Sequence, residues 1–140
     1  MDTQFLQANW MLVAVAAVSG AMLLWTFVGK RMAGFESADT LKATRLYNDD
    51  ALILDVREPS EFESGHIPKS KHIPLGQLST RLGELEKFKS KPVLVNCRSG
   101  HRSARACNVL KKAGFETVYN LDGGIVAWER ANLPIERKKK

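Results

Sequence analysis

Between Trp10 and Val28 the chain runs WMLVAVAAVSGAMLLWTFV, nineteen residues without a charge or a proline. Polar positions recur there with neither a helical nor an alternating rhythm; only Ser19, Gly20 and Thr26 soften the run. At about 1.5 Å rise per residue, a helix of this length matches the roughly 30 Å hydrocarbon core of a bilayer. Trp10 and Trp25 fall near its two ends, where indoles favour the membrane–water interface. A buried core helix would carry a polar face. A signal peptide would carry a basic segment before the run and a small-residue cleavage site after it. Neither pattern is present. The run therefore predicts a transmembrane helix at 10–28, preceded by a short tail at 1–9 and followed by a juxtamembrane linker at 29–36.

Beyond the linker the pattern becomes short apolar runs alternating with amphipathic stretches. Ser37 predicts the cap of a helix reaching about Asn48, with Asp39 and Thr40 in its first turn. ALILDV (Ala51 to Val56) is a short apolar run between turn signals and predicts a buried strand. A short helix is predicted near Pro59, since proline suits the first helical position. HIPL is a brief extended piece held by Pro68 and Pro74, and Leu75 to Phe88 predicts an amphipathic helix. PVLVNC (Pro92 to Cys97) predicts a second buried strand, and His101 to Ala113 a helix closed by Gly114. TVYNL (Thr117 to Leu121) predicts a third strand, after which Gly123 and Gly124 lead into a helix carrying Trp128. Continuously apolar strands separated by helices predict an α/β fold, a central parallel sheet with helices on both faces.

Charge changes the picture in two ways. All twenty-one Lys and Arg lie at or after Lys30, against fourteen acids, so that portion carries net +7. Lys30 and Arg31 directly follow the apolar run, which by the positive-inside rule predicts an external N-terminus and a cytoplasmic remainder. A basic chain also raises nucleic acid as a partner, but the cations are spread and aromatics are not interleaved with them, so none is expected. The basic tail at 136–140, ERKKK, suits anionic lipid headgroups beside its own anchor, or is a solvated terminus. With two cysteines in a reducing compartment, no structural disulfide is expected.

The candidate chemistry lies in VNCRSGHRSAR, Val95 to Arg105. Cys97 ends a predicted strand, and the loop after it opens a helix, the place where open α/β sheets bind ligands. Amides at a helix N-terminus and the helix dipole favour thiolate over thiol. Arg98 and Arg102 add full charges, while Ser99 and Gly100 allow a tightly curved loop with converging amides. From spacing alone, a reactive Cys97 and an inert core cysteine both remain open.

Several ordered motifs then identify a resemblance. The D-V-R-E segment at Asp55 to Glu58, G-H-I-P at Gly65 to Pro68, the loop after Cys97 and G-G-x-x-x-W at Gly123 to Trp128 together resemble the single-domain rhodaneses, the thiosulfate sulfurtransferases. The likeness spans about Ser37 to Ile135, and a rhodanese-like domain is expected at 37–135. It implies that Cys97 is the nucleophile and carries a persulfide. The six-residue loop Cys97, Arg98, Ser99, Gly100, His101, Arg102 is then its cradle. Related phosphatases and arsenate reductases use C-x5-R; here Ser103 stands six after Cys97 and the arginine comes one position early, which argues against an oxyanion cradle.

The implied mechanism is double displacement. Cys97 takes the outer sulfur of thiosulfate or a similar anionic donor, releases sulfite, and passes the sulfur to cyanide, a thiol or a protein acceptor. Arg98 and Arg102 would neutralise the donor, and His101 either orients donor or acceptor or has no task. Neither cofactor nor metal is expected: His66 and His72 lack a third ligand at metal spacing. Asp55 and Arg57 read as a structural pair, Cys107 as a small core residue, and Trp128 as a core anchor. The expected location is a bacterial inner membrane, crossed once. A rival reading is a persulfide carrier or docking module for a membrane partner, with little turnover on thiosulfate. A catalytically idle binding fold is disfavoured by the intact Cys97.

Overall fold

The unbroken apolar run becomes one continuous helix. The computed structural model describes residues 2–32 and 34–137, in two units, 1–34 and 35–140. In the first unit a short α1 (Thr3–Ala8) precedes α2 (Trp10–Met32). The stretch Trp10–Val28 is long and apolar enough to cross a membrane. Its large side chains, Trp10, Leu12, Trp25 and Phe27 among them, are exposed.

In the second unit the elements follow in the order β1 (Glu36–Ala38), α3 (Thr40–Asn48), β2 (Leu52–Asp55), α4 (Pro59–Ser64), β3 (Lys71–His72), α5 (Leu75–Leu78), a 3-10 helix (Leu82–Phe88), β4 (Val93–Asn96), α6 (His101–Lys112), β5 (Val118–Leu121) and α7 (Gly124–Arg130). The five strands form one sheet in the order β1-β5-β4-β2-β3, and all four neighbouring pairs run parallel. Side chains alternate across a strand, so Leu52, Leu54, Val93 and Val95 face one layer while Ile53 and Leu94 face the other. Leu78, Leu85, Ala106, Cys107 and Leu110 cover the first face. Ala43, Leu46 and Trp128 cover the second. This is the predicted α/β fold. Each fully buried Leu or Ile in these layers contributes about 1.5–3 kcal/mol relative to an exposed one.

Three local expectations are corrected. Ser37 does not cap a helix: it lies in β1, paired with Asn120 of β5. Asp39 takes the cap, its carboxylate accepting the Lys42 N–H at 2.8 Å. The stretch Leu75–Phe88 is not one helix. Gly76 and Gly83 weaken it, and Arg81 turns the corner at φ −113°, ψ 14°, between α5 and the 3-10 helix. Arg81 holds that corner through Glu84 at 2.6 Å and Gln77 at 3.0 Å, while Leu78 and Leu85 stay buried. The sheet also has two strands beyond the three predicted, β1 and β3. Of the basic tail, residues 138–140 lie outside the described residues.

Candidate active site

A strand between two others has a fixed end, and β4, between β5 and β2, delivers Cys97 at its carboxyl end. The chain then turns through Ser99 and Gly100 into α6. Gly100 adopts φ +107°, a left-handed value that glycine tolerates without a Cβ clash. This turn aims the Gly100 N–H at the Cys97 Sγ, 3.1 Å away. One turn into α6 the buried Ser103 Oγ lies 3.3 Å from the same sulfur. Burial pushes the Cys97 thiol up, but the Ser103 hydroxyl and the amides of Ser103, Gly100 and Ser99 outweigh it. The net direction is down, toward thiolate.

The loop rests on a backbone floor. Gly123 and Gly124 enter α7 at φ +74° and +61°. A Cβ at Gly124 would lie 2.4 Å from the Arg98 carbonyl carbon and oxygen and 2.6 Å from the Cys97 oxygen. The Ile125 N–H donates to the Cys97 carbonyl at 2.8 Å, and the Val126 N–H to the Arg98 carbonyl at 3.3 Å. Close approach of two backbones needs glycine here, so the glycine doublet helps to build the site.

The two loop arginines have different fates. Arg98 is exposed. Arg102 turns to α4 and grips Glu61 with both guanidinium arms, at 2.7 and 2.9 Å. Those hydrogen bonds hold the Glu61 carboxyl down at about 2 and push Arg102 up. Its charge is therefore already matched by a carboxylate, in contrast to the free cation the sequence implied. His101 is exposed at the start of α6, and Arg105 is exposed one turn on.

Behind the loop, Asp55 and Arg57 form the expected structural pair. Both are buried, and Arg57 reaches the Asp55 carboxylate at 2.7 to 3.0 Å and the Gly65 carbonyl at 2.7 Å. Asn96, beside Cys97, donates to Asp55 at 3.5 Å. His66 and His72 both stack on Phe62, with ring centroids 3.8 and 4.5 Å away. Carbonyls only accept, so His66 donates through Nδ1 to Phe62 at 2.8 Å and His72 through Nε2 to Arg57 at 2.7 Å. These histidines line a cleft of about 560 Å³ with Pro59, Phe62, Glu63, Glu136 and Arg137. Cys107 is fully buried in the apolar layer, which raises its thiol to about 12. Trp128 is 1% exposed and donates its indole N–H to the Pro134 carbonyl at 2.8 Å.

Comparison with known proteins agrees with this geometry. Residues 37–131 match the rhodanese-like domain family. The chain is 41% identical over 87 residues to a sulfurtransferase of Allochromatium vinosum, covering 62% of this chain and 79% of that protein. It is 42% identical over 86 residues to the thiosulfate sulfurtransferase GlpE of Vibrio cholerae, covering 61% and 79% respectively. The crystal structure of a rhodanese-related protein from Thermoplasma volcanium aligns with a TM-score of 0.67 at 31% identity, over 74% of this chain and 100% of that one. The chain therefore belongs to the rhodanese-like domain family, and its relatives named for sulfur transfer support that chemistry at a general level.

Proposed function

We propose that the chain is a membrane-anchored thiosulfate sulfurtransferase with Cys97 as its nucleophile. The observation that carries this reading is the Gly100 amide, 3.1 Å from the Cys97 sulfur inside a closed six-residue loop. In the first half-reaction the Cys97 thiolate attacks the outer sulfur of thiosulfate. A bond forms between the two sulfurs, the bond to the sulfonate sulfur breaks, and sulfite leaves with the electron pair. The loop amides then hold the terminal sulfur of the Cys97 persulfide, as oriented N–H groups stabilise localised negative charge. In the second half-reaction a thiolate or cyanide attacks that terminal sulfur, and Cys97 departs as thiolate. Splitting the transfer in this way replaces one difficult step by two easier displacements.

Arg98, exposed at the loop, draws the dianionic donor in. Ser99 and Gly100 contribute amides, His101 borders the mouth, and Arg102 braces the loop through Glu61. The helix Trp10–Val28 serves as the anchor, with the N-terminus outside and the catalytic domain in the cytoplasm. A protease added to spheroplasts should then spare the domain until the membrane is broken; cleavage before lysis reverses the orientation.

Intact-mass measurement of the full chain in detergent tests the chemistry. Thiosulfate should add one sulfur atom, and cyanide should remove it. Absence of the added sulfur overturns the thiosulfate assignment.

A further inference from the structure

The donor and acceptor roles around Cys97 leave one proton shared between two claims. The Gly100 carbonyl only accepts, so the Asn120 Nδ2, 3.1 Å away, must be the atom facing it. That orientation turns the Asn120 Oδ1 toward the Ser103 Oγ at 2.5 Å, where it too can only accept. Ser103 has a single hydroxyl proton, and the Cys97 Sγ waits on its other side at 3.3 Å. Asn120 and Ser103 are both buried, so water does not readily replace a missing partner.

We propose that Ser103 and Asn120 form a one-proton switch in which Asn120 competes with the Cys97 sulfur for the Ser103 hydroxyl, and so withholds part of the support that Ser103 gives the bare thiolate while costing nothing to the neutral sulfur of the thiol or of the persulfide's inner atom. As a thiol, Cys97 donates its S–H to a Ser103 lone pair, Ser103 donates to Asn120, and each group is satisfied. On ionisation the thiol proton leaves to solvent at the loop mouth. The Ser103 proton then swings to the sulfur and strands the Asn120 Oδ1 in a buried site. Attack on the outer sulfur of a donor converts the Cys97 sulfur to a neutral, divalent sulfur and moves the negative charge to the terminal atom. The Ser103 proton returns to Asn120. Asn120 therefore offsets part of the ionisation that Ser103 favours, and draws the first displacement toward the loaded form. Ser103 contacts the reacting sulfur; Asn120 is a positioning residue that acts through it. The loading half of this inference rests on the sulfurtransferase reading, whereas the ionisation half does not.

The charged and titratable neighbours are the same in each variant. Arg102, with Glu61 behind it, and Cys107 come from α6, and the Asp55–Arg57 pair stands at the end of β2. From β5 comes neutral Asn120, and α7 contributes backbone amides.

The test is an ultraviolet titration of thiolate absorbance in the full chain in detergent, differenced against Cys97→Ser. It needs no sulfur donor, so its outcome is independent of whether thiosulfate is the substrate. Ser103→Ala should raise the midpoint and lower the thiolate fraction at neutral pH, by less than the roughly tenfold of an uncontested hydrogen bond to a charged group, because in the native chain Asn120 already competes for that proton. Asn120→Ala should move the midpoint the opposite way, because Ser103 is then free to serve the sulfur. Ser103→Thr, which keeps the hydroxyl, should restore the midpoint. Asn120→Ser, too short to reach Ser103, substitutes if the alanine variant does not fold. At a fixed ratio of thiosulfate to sulfite, the Asn120 variant should also hold less persulfide than the native chain. Midpoints that shift upward in both variants, or in neither, overturn the switch.

Discussion

Cys97 and Cys107 stand ten positions apart, one at the start of the loop and one in the middle of α6, and both are buried, at 1% and 0% exposure. Their acidities nevertheless move in opposite directions. Cys107 lies among Leu110, Ala106 and the strand side chains, where burial removes water and a hydrogen bond from the residue's own backbone returns only a smaller part, so its thiol rises to about 12. Cys97 loses water too, but meets the Gly100 N–H and the Ser103 hydroxyl at hydrogen-bond distance. Burial alone therefore says little about a thiol; the dipoles fixed around it decide. The arginines carry less of this contrast than their number suggests, since Arg102 is committed to Glu61.

The sharpest break in the comparison is exchange of each sulfur. Cys97→Ser should abolish sulfur loading completely. Cys107→Ala should load normally and lose about 1–2 kcal/mol of stability for a small cavity. Intact mass and urea unfolding read the two effects.

Gly124→Ala comes next. Its methyl group would enter the Arg98 carbonyl at 2.4 Å, on a backbone held at φ +61°. Overpacking and backbone strain together should cost about 3 kcal/mol. Displacement of the loop should also move the Cys97 thiol back toward its ordinary value. Thermal unfolding and thiolate titration of the same sample check both halves.

Freeing Arg102 should have a smaller effect. In Glu61→Gln the cation is no longer matched, so sulfite release from thiosulfate should quicken by about two- to fivefold at low salt and converge on the native rate at high salt. Arg98→Ala should slow the same step. Stopped-time sulfite assays across ionic strength distinguish these two directions.

The smallest effect is acid linkage. The Arg102 hydrogen bonds hold the folded Glu61 carboxyl at about 2, below its unfolded value. A depressed carboxyl stabilises the fold above the unfolded pKa, and that contribution fades as pH falls toward the folded one. Because the pair is partly exposed, about 1 kcal/mol should disappear between roughly pH 5 and pH 2. Urea midpoints of the native chain should show this loss, and those of Glu61→Gln should lack it.

The parts of this site that are local in sequence were the parts legible in it. Cys97 at a strand end, the Gly100 turn and the opening of α6 follow from adjacent residues. Glu61 is 41 positions from Arg102, and Asn120 is 17 from Ser103, so a cluster of arginines reads as free charge until the fold supplies its partner. The strands divide the same way. Apolar runs announced β2, β4 and β5, whereas Glu36–Ala38 is mostly polar and exposed and becomes β1 through pairing with β5. Lys71–His72 is two residues long and carries no period at all. The glycine doublet was visible, but its role as the floor of the loop depends on how closely Gly124 approaches Arg98.

The middle position of β4 has a consequence for how the protein comes apart. Its amides are paired on both flanks, to β5 and to β2, whereas β1 and β3 lie at the rims of the sheet. Rim strands open by local fluctuation, but a central strand gives up its amide protons to deuterium only when the whole sheet dissolves. Cys97 is tied directly to that strand, so partial opening at the rims leaves the Cys97 loop assembled. Slow isotope exchange at Val93–Asn96 and persistence of the loaded state should then fail together, at the same denaturant concentration.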